Sequence, residues 1–536
     1  MTRYLLAAEA DKIQDFIFRS SRLREVVGGS QLLSRFCAEV PGYLLPRYGG
    51  NPDNIIIHDG GSFRILFDDA DQARDFGVHL AEVYRRATGG ALTVAEPVEV
   101  NGDFGRASEK AEEGLRRAKR WRKDWQSQEH LPYMAICASC GTGLAVEHRV
   151  YHEGEKPQHL CVSCLNKSAE RADTGSFLKE FYQEVVGEAG LIQADWPGKK
   201  KRRNRTGIDP LEDIADYDSR RYVAYLLADG NSMGEVFSKC QNPEQMRKLS
   251  KGLTQAIRRA LAEPTKTIMD KNPLDNRPGF IPVLPLILGG DDLFALIPAP
   301  WALDFARCFC QKYEAEMAAL VKDVGLSDVV PTVSVAVVIC KHKHPYALAH
   351  AAGEARLKEA KRLSKRRILD GGQPCSAVNF EVVLGGSLVS KPPDGRVRPT
   401  LRPYWAADGD AGDWGLHIRQ LVDQRWELRD VAHRRLAALK VHYESDNLPD
   451  SLRSDETKPW RDRLERLLRR IERRSERQGL TVINALKELG GQETGYWRRV
   501  YRYPEDIWYG HGLPDLLEAW DFALRLDKSA QEYEEG

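Results

Sequence analysis

Three aspartates in two separate stretches carry the strongest chemical signal in this chain. Asp229 ends an apolar run over 222–228, and Asp291 and Asp292 follow Gly289 and Gly290 between two further apolar runs. Carboxylates that converge raise one another's pKa unless a cation sits among them. Mg2+ or Mn2+ suits such a set, because these ions take hard oxygen ligands from carboxylates and substrate phosphates. Two such ions can hold an attacking hydroxyl and a leaving pyrophosphate in line. The glycines permit a tight turn and let a phosphate approach backbone without a Cβ in the way. An isolated Gly-Gly-Asp-Asp is most often an ordinary solvated turn. The flanking apolar strands and the acid-ended strand upstream favour the catalytic reading of Asp229, Asp291 and Asp292. Downstream, Lys358, Lys361 and Lys365 are spaced to share one helix face. Lys361 stands where a triphosphate contact is expected, whereas Lys358 and Lys365 read equally well as solvated.

A second chemical signal is metal-binding. Cys137 and Cys140 form one Cys-x-x-Cys pair, and Cys161 and Cys164 form another twenty residues later. That spacing fits a four-cysteine zinc site. Four thiolates close the coordination sphere, so the site is structural rather than catalytic. Two matched pairs argue against a redox motif. The other six cysteines show no such grouping and read as core or incidental.

The elements that must position these residues occur twice. Apolar runs at 4–8 and 222–228 each lead into helical sequence. Hairpin patterns with a glycine pair follow at 54–67 and 283–296. Amphipathic helices are then expected at 70–87 and 301–321, and strands at 91–100 and 332–340. Each copy closes on a basic helix, with Ala118-Lys119-Arg120 matching Ala360-Lys361-Arg362. The order β-α-β-β-α-β is the ferredoxin-like pattern, which is also the core of polymerase and cyclase palms. The first copy keeps Gly60-Gly61 but continues with Ser62-Phe63, so it lacks the turn carboxylates. The expected division is a first palm at 1–125, a zinc-binding insertion and linker at 126–215, a second palm at 216–390 and a helical region at 400–536. The fold class is therefore α+β.

Bulk properties exclude several classes. The chain has 536 residues, is 42% hydrophobic, and carries 79 Lys+Arg against 78 Asp+Glu, for a net charge of +1. Contact with nucleic acid must then come from local patches. The apolar runs are too short to span a membrane, and no secretory leader is evident. Ten cysteines in a chain this long point to a reducing cytoplasm. The run Lys199-Lys-Lys-Arg-Arg-Asn-Arg205 could touch RNA phosphates, but a solvated linker explains it better. Residues 391–400 mark a boundary. Beyond it, 416–443 and 460–478 have helical spacing, and six tryptophans (414, 426, 460, 497, 508 and 520) read as bundle core or as a face for another subunit.

The segments 11–18, 23–33, 288–294 and 333–345 resemble the large subunit of type III CRISPR effector complexes, the Cas-ten or Cmr-two family. The likeness is good over about 1–390 and loose beyond. It implies two palms packed as a pseudo-dimer with two ATP molecules between them, and joining of ATP into cyclic oligoadenylate with release of pyrophosphate. It also implies that Asp229 and Asp291 hold the metals and that Asp292 holds or supports them. Ser232 would lie near a base or ribose, and Gly60, Gly61 and Ser62 would border the second nucleotide. Gly289, Gly290 and Lys361 would contact the first. CRISPR RNA, target RNA, and small and backbone subunits are the implied partners. The form expected lacks the HD nuclease domain, since His58-Asp59 has no further His and Asp to complete such a site. Two alternatives are a non-catalytic RNA-binding scaffold of a CRISPR ribonucleoprotein and a free-standing nucleotide cyclase.

Overall fold

A computed structural model describes residues 3–20, 22–121, 133–150, 156–170, 176–199, 210–326, 328–384, 397–406, 415–443, 447–449, 454–490, 497–502, 506–529 and 531–534. Residues 200–205 of the basic run, 391–396 of the boundary segment, and Trp414 lie outside these.

The first palm opens with β1 (Arg3–Asp11), whose side chains are mostly buried. Helices α1 (Ile13–Phe18) and α2 (Leu23–Leu44) follow. The hairpin β2 (Ile55–Asp59) and β3 (Ser62–Phe67) comes next. Asp69 then caps α3 (Ala70–Thr88), its carboxylate accepting the backbone N–H groups of Asp71 and Gln72. Gly89, in the left-handed region at φ 70°, ends that helix. The strand expected over 91–100 is broken into β4 (Ala91–Val94) and β5 (Val98–Val100), both antiparallel to β1. The break contains Pro97, which has no N–H for a ladder. Helix α4 (Phe104–Trp121) closes the unit.

Strands β6 (Glu147–Arg149) and β7 (Gln158–Leu160) and helix α5 (Val162–Glu170) form the cysteine-bearing insertion. Helices α6 (Ser176–Gly190) and α7 (Pro210–Ala215) lead on.

The second palm repeats the order: β8 (Tyr222–Gly230), α8 (Met233–Ser238), α9 (Pro243–Lys271), β9 (Leu284–Gly289), β10 (Asp292–Pro298), α10 (Ala302–Val324), β11 (Val333–Lys341), α11 (Tyr346–Leu369) and β12 (Ala377–Val382). Its sheet order β9-β10-β8-β11 reproduces β2-β3-β1-β4 of the first palm. The duplication legible in the sequence is therefore a duplication of topology. In β8 every residue but Asp229 is buried, as expected of a strand covered on both faces. Two ferredoxin-like palms with a four-cysteine insertion between them bear out the α+β expectation.

The C-terminal region is mainly helical, with one difference from expectation. Strand β13 (Val397–Arg398) pairs with β16 (Asp506–Gly510), which also pairs with β15 (Arg498–Arg502), forming a small sheet. Strand β14 (Tyr404–Trp405) extends the second palm's sheet alongside β12. Two short β-runs separated by a hundred residues leave no periodic signal, so this sheet was not legible. The segment 416–443 is two helices, α12 (Ile418–Glu427) and α13 (His433–His442). Helices α14 (Ser454–Glu472), α15 (Glu476–Gly490) and α16 (Gly512–Glu518) complete the bundle. Trp460, Trp497 and Trp520 are buried in it. Among the described residues no helix is long and apolar enough to cross a membrane.

Candidate active site and cysteine cluster

Antiparallel pairing sets Asp292 directly opposite Asp229 on β10 and β8. Directly opposed residues have Cβ atoms roughly 4.5–5.5 Å apart. Asp291 lies in the turn, and a Cβ built on Gly230 would come within 3.1 Å of its Cβ. All three carboxylates thus share one sheet edge. The hairpin loop is the residue pair Gly290-Asp291, since Gly289 pairs with Asp292. Gly290 has φ 62°, which only glycine adopts cheaply. Gly230 is equally constrained, because a Cβ there would meet Met233 Cγ at 2.5 Å.

The electrostatics of this edge call for a cation. Burial, then the charge of Asp229, pushes Asp291 up to about 6. Burial, then Asp291 and Asp229, pushes Asp292 up to about 8. Among the described residues, the Lys361 ammonium is pressed onto the set, in contact with Asp229 Oδ2. Lys358 and Lys365 on the same helix are exposed. Glu354 on α11 is a further acid here; burial raises its pKa, and its Oε1 lies 3.5 Å from Gln14 Nε2 of the first palm. Ser232 begins α8 at φ 55°, a conformation costly for a non-glycine residue. Asn231 beside it is fixed to β11, donating to Thr332 Oγ1 at 2.9 Å and accepting from Ser334 Oγ at 2.8 Å.

The register of the first palm corrects the match drawn from sequence. Glu9 pairs with Ser62, and Asp59 pairs with Ser62 across the hairpin. Glu9 therefore stands where the second palm has Asp229. Gly60 corresponds to Gly290, Gly61 to Asp291, and Ser62 to Asp292, one residue off the glycine-to-glycine match. Asp11, which resembles Asp229 in sequence, corresponds instead to Asn231. It accepts a hydrogen bond from Thr93 Oγ1 at 2.6 Å, and Lys12 after it has φ 50°, like Ser232. Lys119 Nζ lies 2.8 Å from Glu9 Oε1, repeating the Lys361–Asp229 pair. The first palm has lost the two turn carboxylates but keeps an acid–lysine couple that the sequence reading missed. The shared Ala-Lys-Arg pattern already contained Lys119; only the pairing register exposes Glu9.

The two turns meet. A Cβ on Gly60, itself at φ 56°, would lie 3.2 Å from Gly290 N and 3.3 Å from Gly289 C. Asp59 Oδ2 accepts from Thr254 Oγ1 of the second palm at 2.6 Å, and His58 Nδ1 lies 3.2 Å from Cys37 O. The His58–Asp59 pair is thus engaged in structural contacts.

The ligand atoms of Cys137, Cys140, Cys161 and Cys164 all lie within 4.8 Å of one another. Gly143 N–H and Thr142 Oγ1 donate to Cys140 Sγ at 3.4 and 3.5 Å. Gly143 must be glycine, since a Cβ would meet Cys161 Cβ at 2.7 Å. The cluster is consistent with zinc binding. It offers four sulfur donors, which closes a tetrahedral site.

Comparison with known proteins accords with this architecture. Residues 222–369 match the family model of Cas10/Cmr2, second palm domain. Among solved structures, Csm1 in T. onnurineus superposes with a TM-score of 0.56 at 18% identity, covering 98% of this chain and 70% of that one. A Csm1–Csm4 cassette in complex with pppApA gives a TM-score of 0.50 at 16% identity, covering 98% and 69%. A Csm1–Csm4 cassette with cA4 gives 0.43 at 17% identity and covers 73% and 55%. This chain thus spans between about half and seven tenths of the length of these structures. No curated protein matches the chain.

Proposed function

We propose that this chain, Cas10-like in its second palm and in its fold, is a nucleotidyltransferase that converts ATP into cyclic oligoadenylate and pyrophosphate within a type III CRISPR effector. The observation that carries the reading is the convergence of Asp229, Asp291 and Asp292 on one edge, with Lys361 beside them. The pppApA bound to a structurally similar Csm1–Csm4 cassette supports an adenine nucleotide as ligand.

The residues fit a divalent cation: half-buried, mutually repelling carboxylates with the Lys361 ammonium against Asp229. Mg2+ or Mn2+ bound there supplies Lewis-acid stabilisation of the attacking and leaving oxygens. Asp229, Asp291 and Asp292 would hold it, on strands that fix their spacing. Lys361 exchanges its contact with Asp229 for the triphosphate once that charge is otherwise balanced. Gly289 and Gly290 let phosphate approach the backbone, and Ser232 lies within reach of the nucleoside. Across the contact between the turns, Gly60, Gly61 and Ser62 border a second ATP, with Lys119 as its phosphate partner. The 3′-hydroxyl of one ATP forms a bond to the α-phosphorus of the other. The α–β anhydride breaks, pyrophosphate leaves, and the hydroxyl proton passes to solvent. Catalysis is then positioning and electrostatics. CRISPR RNA, target RNA and companion subunits would gate the reaction, and the zinc cluster would be structural.

The test is incubation of the chain, alone and with its effector partners and target RNA, with ATP and Mg2+ or Mn2+, followed by chromatography. Cyclic oligoadenylate is expected, and the Asp291→Ala, Asp292→Ala double variant should make none while remaining folded. Undiminished product from the folded double variant would overturn the assignment.

A further inference from the structure

Helix α1 is short, with six residues, and no side chain caps its start. Yet it lies between two sites. On one side is the cysteine cluster. Lys167 of α5 is 2% exposed, and its ammonium donates to the Phe16 carbonyl and, at 3.1 Å, to Ser20 Oγ. The same ammonium sits 4.3 Å from the Phe16 ring centroid. Ser20 Oγ in turn lies 3.9 Å from Cys164 Sγ. The Phe16 carbonyl belongs to the last turn of α1, where carbonyls have no helical partner, and a cation there also suits the helix dipole. The lysine stem occupies space left by Gly29, where a Cβ would come within 3.3 Å of Lys167 Cε. Buried Glu25 accepts hydrogen bonds from Ser139, inside the first cysteine pair, and from Ser168 at 3.4 Å.

On the other side is the second palm. The Phe18 ring packs edge-on against Phe294 at 4.9 Å and lies 4.0 Å from the His350 ring. Phe294 is two residues beyond Asp292, so its side chain leaves the strand on the same face. Gln14, near the start of α1, faces Glu354.

We propose that Lys167 is a positioning residue that couples the zinc-binding cluster to the aspartate edge by clamping the last turn of α1. A buried ammonium must be paired and hydrogen-bonded to be tolerated. Its partners here are a helix end and a hydroxyl 3.9 Å from Cys164 Sγ, with the rest of the four-cysteine cluster beyond. Zinc binding holds α5 and Lys167 in place, Lys167 holds Phe16 and Ser20, and Phe18 then bears on β10 beside Asp292. This coupling rests on the nucleotidyl-transfer reading only for its effect on turnover.

The experiment compares Lys167→Met, which keeps the stem over Gly29 and removes the charge, with the unaltered full chain. Zinc content is measured by atomic absorption and backbone mobility by hydrogen exchange. Zinc stoichiometry should be unchanged. Exchange should quicken in peptides covering 12–20 and also 284–298, while 333–341 stays as before. Turnover at saturating ATP should fall about tenfold with little change in KM. Removing zinc from the unaltered chain with a chelator should quicken the same two peptides. If 12–20 loosens while 284–298 does not, or if neither changes, the coupling is overturned. Should Lys167→Met fail to fold, Phe18→Ala tests the far end. It should retain zinc and loosen 284–298, and an unchanged 284–298 overturns the proposal. Absence of any ATP product from the unaltered chain would sink the enzymatic reading and leave the exchange data to judge the coupling.

Discussion

Asp292 shows what the site costs the fold. An acid whose pKa in the folded protein lies above its unfolded value of roughly 3.9 binds more protons folded than unfolded. Asp291 near 6 and Asp292 near 8 both do so, chiefly through burial. The metal-free protein should therefore lose stability as pH climbs from about 4 through 8. In EDTA at pH 8, Asp292→Asn should raise the melting temperature on the order of 2 °C, shrinking toward pH 5, while abolishing metal-dependent turnover. Calorimetry decides it: a lower melting temperature for the variant at pH 8 would mean that the ionised carboxylate is favourably paired there. The three acids of this edge were legible because residue type, flanking strands and turn glycines coincide in the sequence. Glu9 was not. A strand of apolar residues and a Glu-Ala-Asp ending offers two acids for one position, and only hydrogen-bond register chooses between them. The two acids lie two residues apart on one face of the strand, so side-chain alternation cannot separate them, and the register decides which one meets Lys119.

At the scale of elements, helical spacing made α14 and the segment around α12 and α13 legible, but the packing of the C-terminal region was not. Its core brings together His442, Trp460, Tyr443 and His511, with the His442 ring 4.4 Å from that of Trp460 and the Tyr443 ring 4.6 Å from that of His511. Isolated histidines and tryptophans across 442–511 carry no periodic signal that would predict this. His511 caps α16, its Nδ1 accepting the Leu513 N–H at 3.0 Å, while Nε2 lies 3.2 Å from Leu486 O. That geometry uses the neutral ring, with one nitrogen accepting and the other donating. Burial lowers His511 to about 3 and His442 to about 4. Histidines depressed below their unfolded value of about 6.5 contribute stability that is full above that pH and lost as pH falls toward 3–4. The near-ultraviolet signal of this region should collapse on acidification between about pH 6 and 4. His511→Asn, which can still accept at the cap, should shift that midpoint to lower pH. An identical midpoint in the variant would show that His511 does not drive the transition.

For the whole molecule, the sequence shows two copies of one unit but not how they meet, because contact between surfaces separated by two hundred residues leaves no local pattern. The structure brings the two glycine turns together, with Asp59 bonded to Thr254 and the Arg247 guanidinium donating to the Asp53 and Ile55 carbonyls at 2.7 and 3.1 Å. Both Gly60 and Gly61 have positive φ, the pattern of a type I′ hairpin, whereas only Gly290 does in the second turn. If the two palms act on two nucleotides jointly, the contact between turns must be as tight as the chemistry at either one. Gly60→Ala tests this. Its Cβ would press on backbone atoms of Gly289 and Gly290, which cannot swing away as a side chain would. Positive φ adds a local strain of roughly 1 kcal/mol. Gly102, at φ 80° with nothing within 4 Å of a built Cβ, isolates that strain in a Gly102→Ala control. Gly60→Ala should lose more stability than the control, and turnover of the folded protein should fall about tenfold or more in Gly60→Ala alone. Equal turnover in both would mean that each palm's turn works without the other, and that the contact serves only to hold the molecule together.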